Sequence, residues 1–288
     1  MEDYIAQNKE AWEYNAYEFW IREAGTPAKR AEKILQNPVG GLKKYAAYFD
    51  SYQGVRIANI CGSCGKKAVP LAALGALVTV FDISEDNRRY ALELADAAGV
   101  LIDYEVCNVL EIDRKRFGDA FDVVFMEGGI LHYFHDIDAF MNMMYILLKP
   151  GGIMICSDFH PFTKIADLLE TGSPAMSYFS QEVFEGEMAH ARFLKRKSGK
   201  RCQSAAIGNI RSVKSLTRKL KKLFSGTLLV PLFIRIFPET IFIHQMFSRR
   251  SNVNLFQILV DIHFPLCYSL SCKGSMKSRQ SGSFYAEK

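Results

Sequence analysis

The hydrophobic pattern changes period twice along this chain. Over residues 3–24 the apolar positions Ile5, Trp12, Ala16 and Phe19 share one face, which predicts a helix. Thr26-Pro27 supplies an N-cap and first turn for a second helix, which Asn37-Pro38 ends, and 40–49 reads as a third. A turn at 50–54 follows, and from Val55 the pattern becomes that of buried strands alternating with helices. Strands are expected at 55–60, 77–81, 102–106, 121–126 and 153–156, with the second ending on Asp82. Helices are expected at 68–74, from a cap at Ser84 to Gly99, and from a cap at Asp136 to Leu148. Strands joined by helices in this way form a mostly parallel sheet with helices on both faces, a doubly wound α/β fold. Its ligand site lies beyond the carboxyl ends of the strands. Helix is also expected at 162–171, and 177–194 as cover for the sheet edge.

Charge divides the chain near residue 195. Residues 195–288 carry 18 Lys and Arg against Glu239, Asp261 and Glu287, a net +15, which leaves −10 on residues 1–194. Three units are therefore expected: an N-terminal helical cap (1–54), a ligand-binding domain (55–194) and a basic, atypical region (195–288). Within the last, 209–224 has the pattern of a basic amphipathic helix, an element suited to membrane surfaces or anionic partners. The apolar runs 228–237 and 253–270 are interrupted by Arg235 and by Asp261 with His263, so no integral membrane segment is expected. The region reads as a sheet edge and cover, or as a frame-disrupted stretch, since acidic residues almost vanish from it. The polar start MEDYIAQNKE and seven irregularly spaced cysteines fit a reduced, cytoplasmic chain.

The stretch Asn59-Ile-Cys-Gly-Ser-Cys-Gly-Lys-Lys-Ala68 carries the chemistry. As Cys-x-x-Cys it suggests a redox pair or half a zinc site, but no second Cys or His pair lies nearby to complete a metal site. As a small-residue turn between strand and helix it suits close approach of a nucleotide-like ligand. That reading requires a carboxylate at the end of the next strand, about 20 residues on, and Asp82 stands there. Residues 61–84 resemble the first two motifs of the class I S-adenosylmethionine-dependent methyltransferases. The resemblance continues through Phe121-Asp-Val-Val-Phe125, Ile130-Leu-His-Tyr-Phe-His-Asp136 and Leu148-Lys-Pro-Gly-Gly152, in the family's order and spacing. Asn8-Lys-Glu-Ala-Trp12 resembles a helix that caps the pocket in that family.

The resemblance implies a Rossmann-like, seven-stranded sheet and S-adenosylmethionine as cofactor. It implies cofactor contacts from Asn59, Cys61, Gly62, Ser63 and Gly65 in the loop and from Asp82 at the ribose. Ile83 and Asn108, with Val109 beside it, would meet the adenine, and Glu127 would lie under the methionine part. Where the family has an acidic residue and three glycines, this chain has Asn59, Cys61, Ser63 and only Gly65. For proton removal from an acceptor, the candidates are His132 and Glu127, with Asp158 and His160 as weaker ones. The expected partner is a small-molecule methyl acceptor. The rival readings are an RNA methyltransferase using the basic region as its nucleic-acid surface, and a non-catalytic binding protein on the same fold.

Overall fold

The computed structural model describes residues 3–159 and, beyond them, strand segments at 184–187, 201–204, 232–237, 240–248 and 257–264. The expected helices at 162–171 and 209–224 lie outside the described residues, as does all of 177–194 except 184–187. The first expected helix is two, α1 (Asp3–Glu13) and α2 (Ala16–Glu23), because Asn15 takes a left-handed conformation with φ 52° and turns the chain. Asparagine tolerates that region better than most residues. Helix α3 (Pro27–Gln36) starts as expected, with the Thr26 hydroxyl accepting from the Lys29 amide at 3.4 Å. Residues 40–49 are not a helix. They form 3-10 turns at Pro38–Leu42 and Ala46–Tyr48, since adjacent Gly40 and Gly41 each disfavour a helix by about 1 kcal/mol.

The central unit is β1 (Arg56–Ile60), α4 (Ala68–Ala73), β2 (Leu77–Asp82), α5 (Glu85–Ala97), β3 (Asp103–Val106), α6 (Arg114–Phe117), β4 (Phe121–Glu127), α7 (Ile137–Leu147) and β5 (Leu148–Phe159). The five strands are parallel in the order β3-β2-β1-β4-β5. The chain winds outward from β1 to β3 and then returns to β4 on the other side of β1. This reversal opens a crevice above the carboxyl ends of β1 and β4. Caps set the helix starts: Ser84 Oγ accepts from the Asn87 amide at 3.1 Å, and Asp136 Oδ1 from the Ala139 amide at 2.9 Å.

The remaining strands are β6 (Phe184–Glu187), β7 (Arg201–Ser204), β8 (Leu232–Phe237), β9 (Thr240–Ser248) and β10 (Gln257–Phe264). β6 and β7 pair with each other, whereas β9 joins β5 antiparallel and leads to β10 and β8. The main sheet thus has eight strands among the described residues, of which the apolar runs 228–237 and 253–270 hold β8 and β10. No helix among the described residues is long and apolar enough to cross a membrane.

Both faces of the parallel sheet are covered, which explains the nearly continuous apolar strands. On one face Ala58, Ile60, Val124 and Met126 pack with Phe140, Met144 and Leu147 of α7. On the other, Ile57, Val123, Phe125 and Ile155 pack with Leu71, Ala91 and Tyr45. The N-terminal helices close over the crevice and are tied down by polar contacts. Glu13, ending α1, accepts from the Glu85 and Asp86 amides at 2.7 and 3.2 Å and so caps α5 from outside. Trp20 donates to Asn87 at 2.7 Å, Tyr17 donates to Glu93 at 2.5 Å, and the Tyr4 ring stacks on His135 at 3.9 Å.

A carboxylate on two amides at a helix start is worth about 1–2 kcal/mol. Glu13→Ala should therefore lower unfolding stability in urea by about that amount. An unchanged midpoint would show that the Glu13 cap contributes nothing to holding the lid.

Candidate cofactor-binding site

A cavity of about 280 Å³ lies over the carboxyl ends of β1, β2 and β4. Its floor is the loop between β1 and α4, with Asn59, Cys61, Gly62 and Ser63 on the wall. Asp82, Ile83, Asn108 and Val109 form one side, and Glu127 with Gly128 and Gly129 forms the other. Tyr4, Ile5, Asn8 and Trp12 of α1 roof it. The structure thus brings together nearly all the positions singled out from the sequence. Gly65 is set back from the wall: a Cβ there would lie 3.0 Å from that of Ala91, so it serves loop-to-helix packing.

The loop is bent through three left-handed residues, Cys61 (φ 48°), Ser63 (φ 50°) and Gly65 (φ 73°). Two of the three therefore hold a conformation that disfavours a side chain by about 1–2 kcal/mol. Gly62 between them is required for space, since a Cβ would come within 2.6 Å of Asn59 Oδ1 and 2.7 Å of Val80 Cγ1. Asn59 is buried and donates its amide to the Phe125 carbonyl at 3.3 Å, while its Oδ1 has no partner. An acceptor left bare in this way suits a ligand N–H donor.

Asp82 is buried at the head of the cavity. Its Oδ2 accepts from the Ser63 amide at 2.9 Å, and its Oδ1 from the Ser84 amide at 3.1 Å and Asn87 Nδ2 at 3.2 Å. Burial raises its pKa, and the donors from Asn87, Ser63 and Ser84 hold it back. A carboxylate has about four lone-pair positions, so capacity remains for a ligand hydroxyl. Asn108 Oδ1 accepts from the Leu110 amide at 3.1 Å, which fixes the turn after β3 against the wall.

The two candidate bases differ in placement. His132 is not among the residues lining the cavity. The 3-10 turn Leu131–Tyr133 turns Tyr133 to the wall and buries Leu131, and His132 lies tilted on the Tyr133 ring at 4.1 Å. Glu127 does reach the cavity but is bound up in charge. It accepts from the Tyr45 hydroxyl and pairs with Lys67 at 3.3 Å and Lys44 at 3.6 Å. Burial opposes its charge, yet Lys67, Lys44 and Tyr45 hold its carboxyl below the usual range, which makes it a poor base. Asp158 is buried and accepts from the Ile130 and Leu131 amides at 2.7 and 2.8 Å. His160 lies outside the described residues.

Sequence reasoning missed Tyr45 and Lys67. Lys67 is buried and donates to the Gly41 carbonyl; burial pulls its pKa down, with Glu127 opposing. The only sequence signal for it was a Lys-Lys pair at a helix start, where a cation is unfavourable. The redox reading of the loop finds no support in the thiols. Cys61 and Cys64 are free, and burial pushes the first well up and the second to about 12, the opposite of an activated pair. No group of three or more potential metal ligands occurs among the described residues.

The residues fit the cofactor that the sequence resemblance implied. The bare Asn59 oxygen, the Gly62 position that a Cβ would fill, and Asp82 at the strand end are the acceptor, cradle and carboxylate it requires. Comparison with known proteins agrees. Residues 60–156 match the family model for a methyltransferase domain. The ubiquinone biosynthesis O-methyltransferase of Cereibacter sphaeroides is 38% identical over 107 residues, 37% of this chain and 42% of that protein. Its namesake from Roseobacter denitrificans is 33% identical over 129 residues, 44% of this chain and 50% of that protein. The chain thus spans half the length or less of these curated relatives. A crystal structure from Listeria monocytogenes, provisionally described as an S-adenosylmethionine-dependent methyltransferase, superposes with a TM-score of 0.50 at 21% identity. It covers 65% of this chain and 80% of that one, a likeness of fold.

Ser63 combines a left-handed backbone with a buried hydroxyl that has no partner. Ser63→Gly relieves about 1–2 kcal/mol of backbone strain, against a loss of about 0.5–1 kcal/mol from glycine's freedom in the unfolded chain. Both Ser63→Gly and Ser63→Ala remove the unpaired hydroxyl, so the backbone strain should show as Ser63→Gly being more stable than Ser63→Ala by about 0.5–1 kcal/mol. A Ser63→Gly protein no more stable than Ser63→Ala would show that the loop is not strained as described.

Proposed function

Residues 60–156 belong to the class I S-adenosylmethionine-dependent methyltransferase family, and from that premise we propose that the protein methylates a small-molecule acceptor. The observation that carries this reading is the small-residue loop bonded to Asp82 through the Ser63 amide at 2.9 Å, both on the wall of one cavity that Tyr4 and Trp12 roof. The curated relatives named as O-methyltransferases favour an oxygen acceptor.

S-adenosylmethionine, when bound, supplies a methyl group on a sulfonium sulfur that is already electrophilic. Asp82 would accept the ribose hydroxyls with its remaining lone pairs, and Ile83, Asn108 and Val109 would hold the adenine. The Cys61–Gly65 loop lets the thioether region lie on bare backbone, since Gly62 has no side chain to intrude. The α1 roof excludes water through Ile5 and Trp12, the latter braced edge-on by Tyr133 at 5.9 Å. The protein's main contribution is alignment of the acceptor with the methyl, which is worth up to ~7–11 kcal/mol. The carboxylates on the cavity wall, Asp82 and Glu127, are committed to hydrogen bonds and ion pairs, and this mechanism assigns neither of them proton removal.

Titration with S-adenosylmethionine and S-adenosylhomocysteine should show saturable binding of both. Absence of binding up to millimolar concentration would overturn the reading. Trp12 and Trp20, the only two tryptophans, both line the cavity and give an intrinsic fluorescence readout. Asp82→Asn should weaken binding by at least about tenfold, the loss of one charge-assisted hydrogen bond. It should also lower stability, because Asp82 holds Ser63, Ser84 and Asn87. Unchanged affinity would separate Asp82 from the ribose.

A further inference from the structure

A third carboxylate is withdrawn from water at this end of the sheet. Asp158, near the end of β5, is 3% exposed, and its Oδ2 accepts from the amides of both Ile130 and Leu131. Those amides reach it because Gly128 and Gly129, left-handed at φ 95° and 85°, fold back the segment after β4. Ile130 lines the cavity, so the carboxylate stands one residue behind the wall. Side chains two apart on a strand share a face. Asp158 is therefore on the face of Cys156, the same face against which Cys61 packs. Glu127 shares the opposite face with Phe125 and bonds to Tyr45 there.

The two faces answer negative charge differently. Glu127 meets Lys67 at 3.3 Å and Lys44 at 3.6 Å, and opposite charges this close largely cancel at a distance. Asp82 takes the Ser63 and Ser84 amides and the Asn87 side-chain amide, and Asp158 takes two backbone amides. Neutral donors stabilise a carboxylate without cancelling its field. That field is felt at Cys61 on the cavity wall: burial first, then Asp82, Cys107 and Asp158, push its thiol well up. Burial and then Asp158 do the same to Cys156. A field that opposes negative charge at a sulfur atom favours positive charge in the same place.

We propose that Asp158 makes the cavity selective for charge, favouring the sulfonium form of the cofactor over the neutral thioether that methyl transfer leaves behind. The proposal rests on the cofactor reading above, in which the sulfur lies against the Cys61–Gly65 backbone. Methyl transfer leaves the S–C bond pair on sulfur, so the sulfur loses its positive charge and with it the attraction to Asp158. The product is then held less firmly than the methyl donor, although their adenosine and amino-acid parts are the same. Asp158 acts from behind Ile130: it sets specificity through its field and removes no proton.

Both bonds to Asp158 fall on one oxygen, so Asp158→Asn can keep them through its amide oxygen and remove only the charge. The test titrates S-adenosylmethionine, S-adenosylhomocysteine and sinefungin, an unreactive analogue with an ammonium group where the methyl donor has its sulfonium methyl. The unaltered chain should bind each of the two cations at least about threefold more tightly than S-adenosylhomocysteine. In Asp158→Asn both cations should weaken at least about fivefold while S-adenosylhomocysteine stays within about twofold, which also reports an intact fold. Binding of S-adenosylhomocysteine as tight as that of either cation in the unaltered chain would overturn the proposal without recourse to any variant. So would an Asp158→Asn protein in which the ratio of charged to neutral ligand is unchanged, since Asp158 would then only hold the wall. Failure of every adenosine ligand to bind would instead remove the cofactor reading on which the proposal rests.

Discussion

The Asp82 carboxylate is the constraint on which the rest of the site depends. It stands at the end of β2, out of water, and its two oxygens take donors from the loop after β1 and from the start of α5. Charge-assisted bonds of this kind contribute about 1.5–3 kcal/mol each, and leaving the carboxylate buried without them would be prohibitive. The loop is thereby pulled against the strand next to β1, and its left-handed residues at 61 and 63 are held in place from outside. Removal of the carboxylate therefore affects fold and site together.

The strained loop and the buried ion pair serve one geometric end. The loop needs small side chains to bring backbone up to the cavity, and Gly62 is the position where no other residue fits. The same loop ends on Lys67, which meets Glu127 of β4 and so places full charges beside its small residues. The lid joins these halves. Glu13 caps α5, whose first turns hold Asp82, while Tyr4 stacks on His135 in the segment after β4. The N-terminal helices thus touch both the elements that hold Asp82 and the segment that follows β4.

The parallel core was legible because its strands are buried on both faces and its helices announce themselves with Ser84 and Asp136 caps. The cavity wall was legible because loop, carboxylate and turn each demand particular residue types at fixed spacing. Where a single residue's backbone decided the outcome, the sequence was silent. Asn15 splits the first helix by going left-handed, and Gly40-Gly41 converts the third into 3-10 turns. Tyr45 and Lys67 escaped notice because their role is tertiary: nothing local shows that a tyrosine in a turn will meet a glutamate 82 residues on. His132 follows β4 as expected, but the turn there brings its neighbour Tyr133 to the cavity wall, which no local pattern shows.

The central claim is that the β1 loop and Asp82 together cradle the adenosine and thioether of the cofactor. A crystal structure of the chain with S-adenosylhomocysteine tests it most directly. The account predicts ribose hydroxyls on Asp82, the sulfur over Gly62, and Cys61 and Ser63 still left-handed, with the Ser63 amide retained by Asp82. A ligand bound elsewhere, or a loop that abandons the Asp82 carboxylate to admit it, would contradict the account.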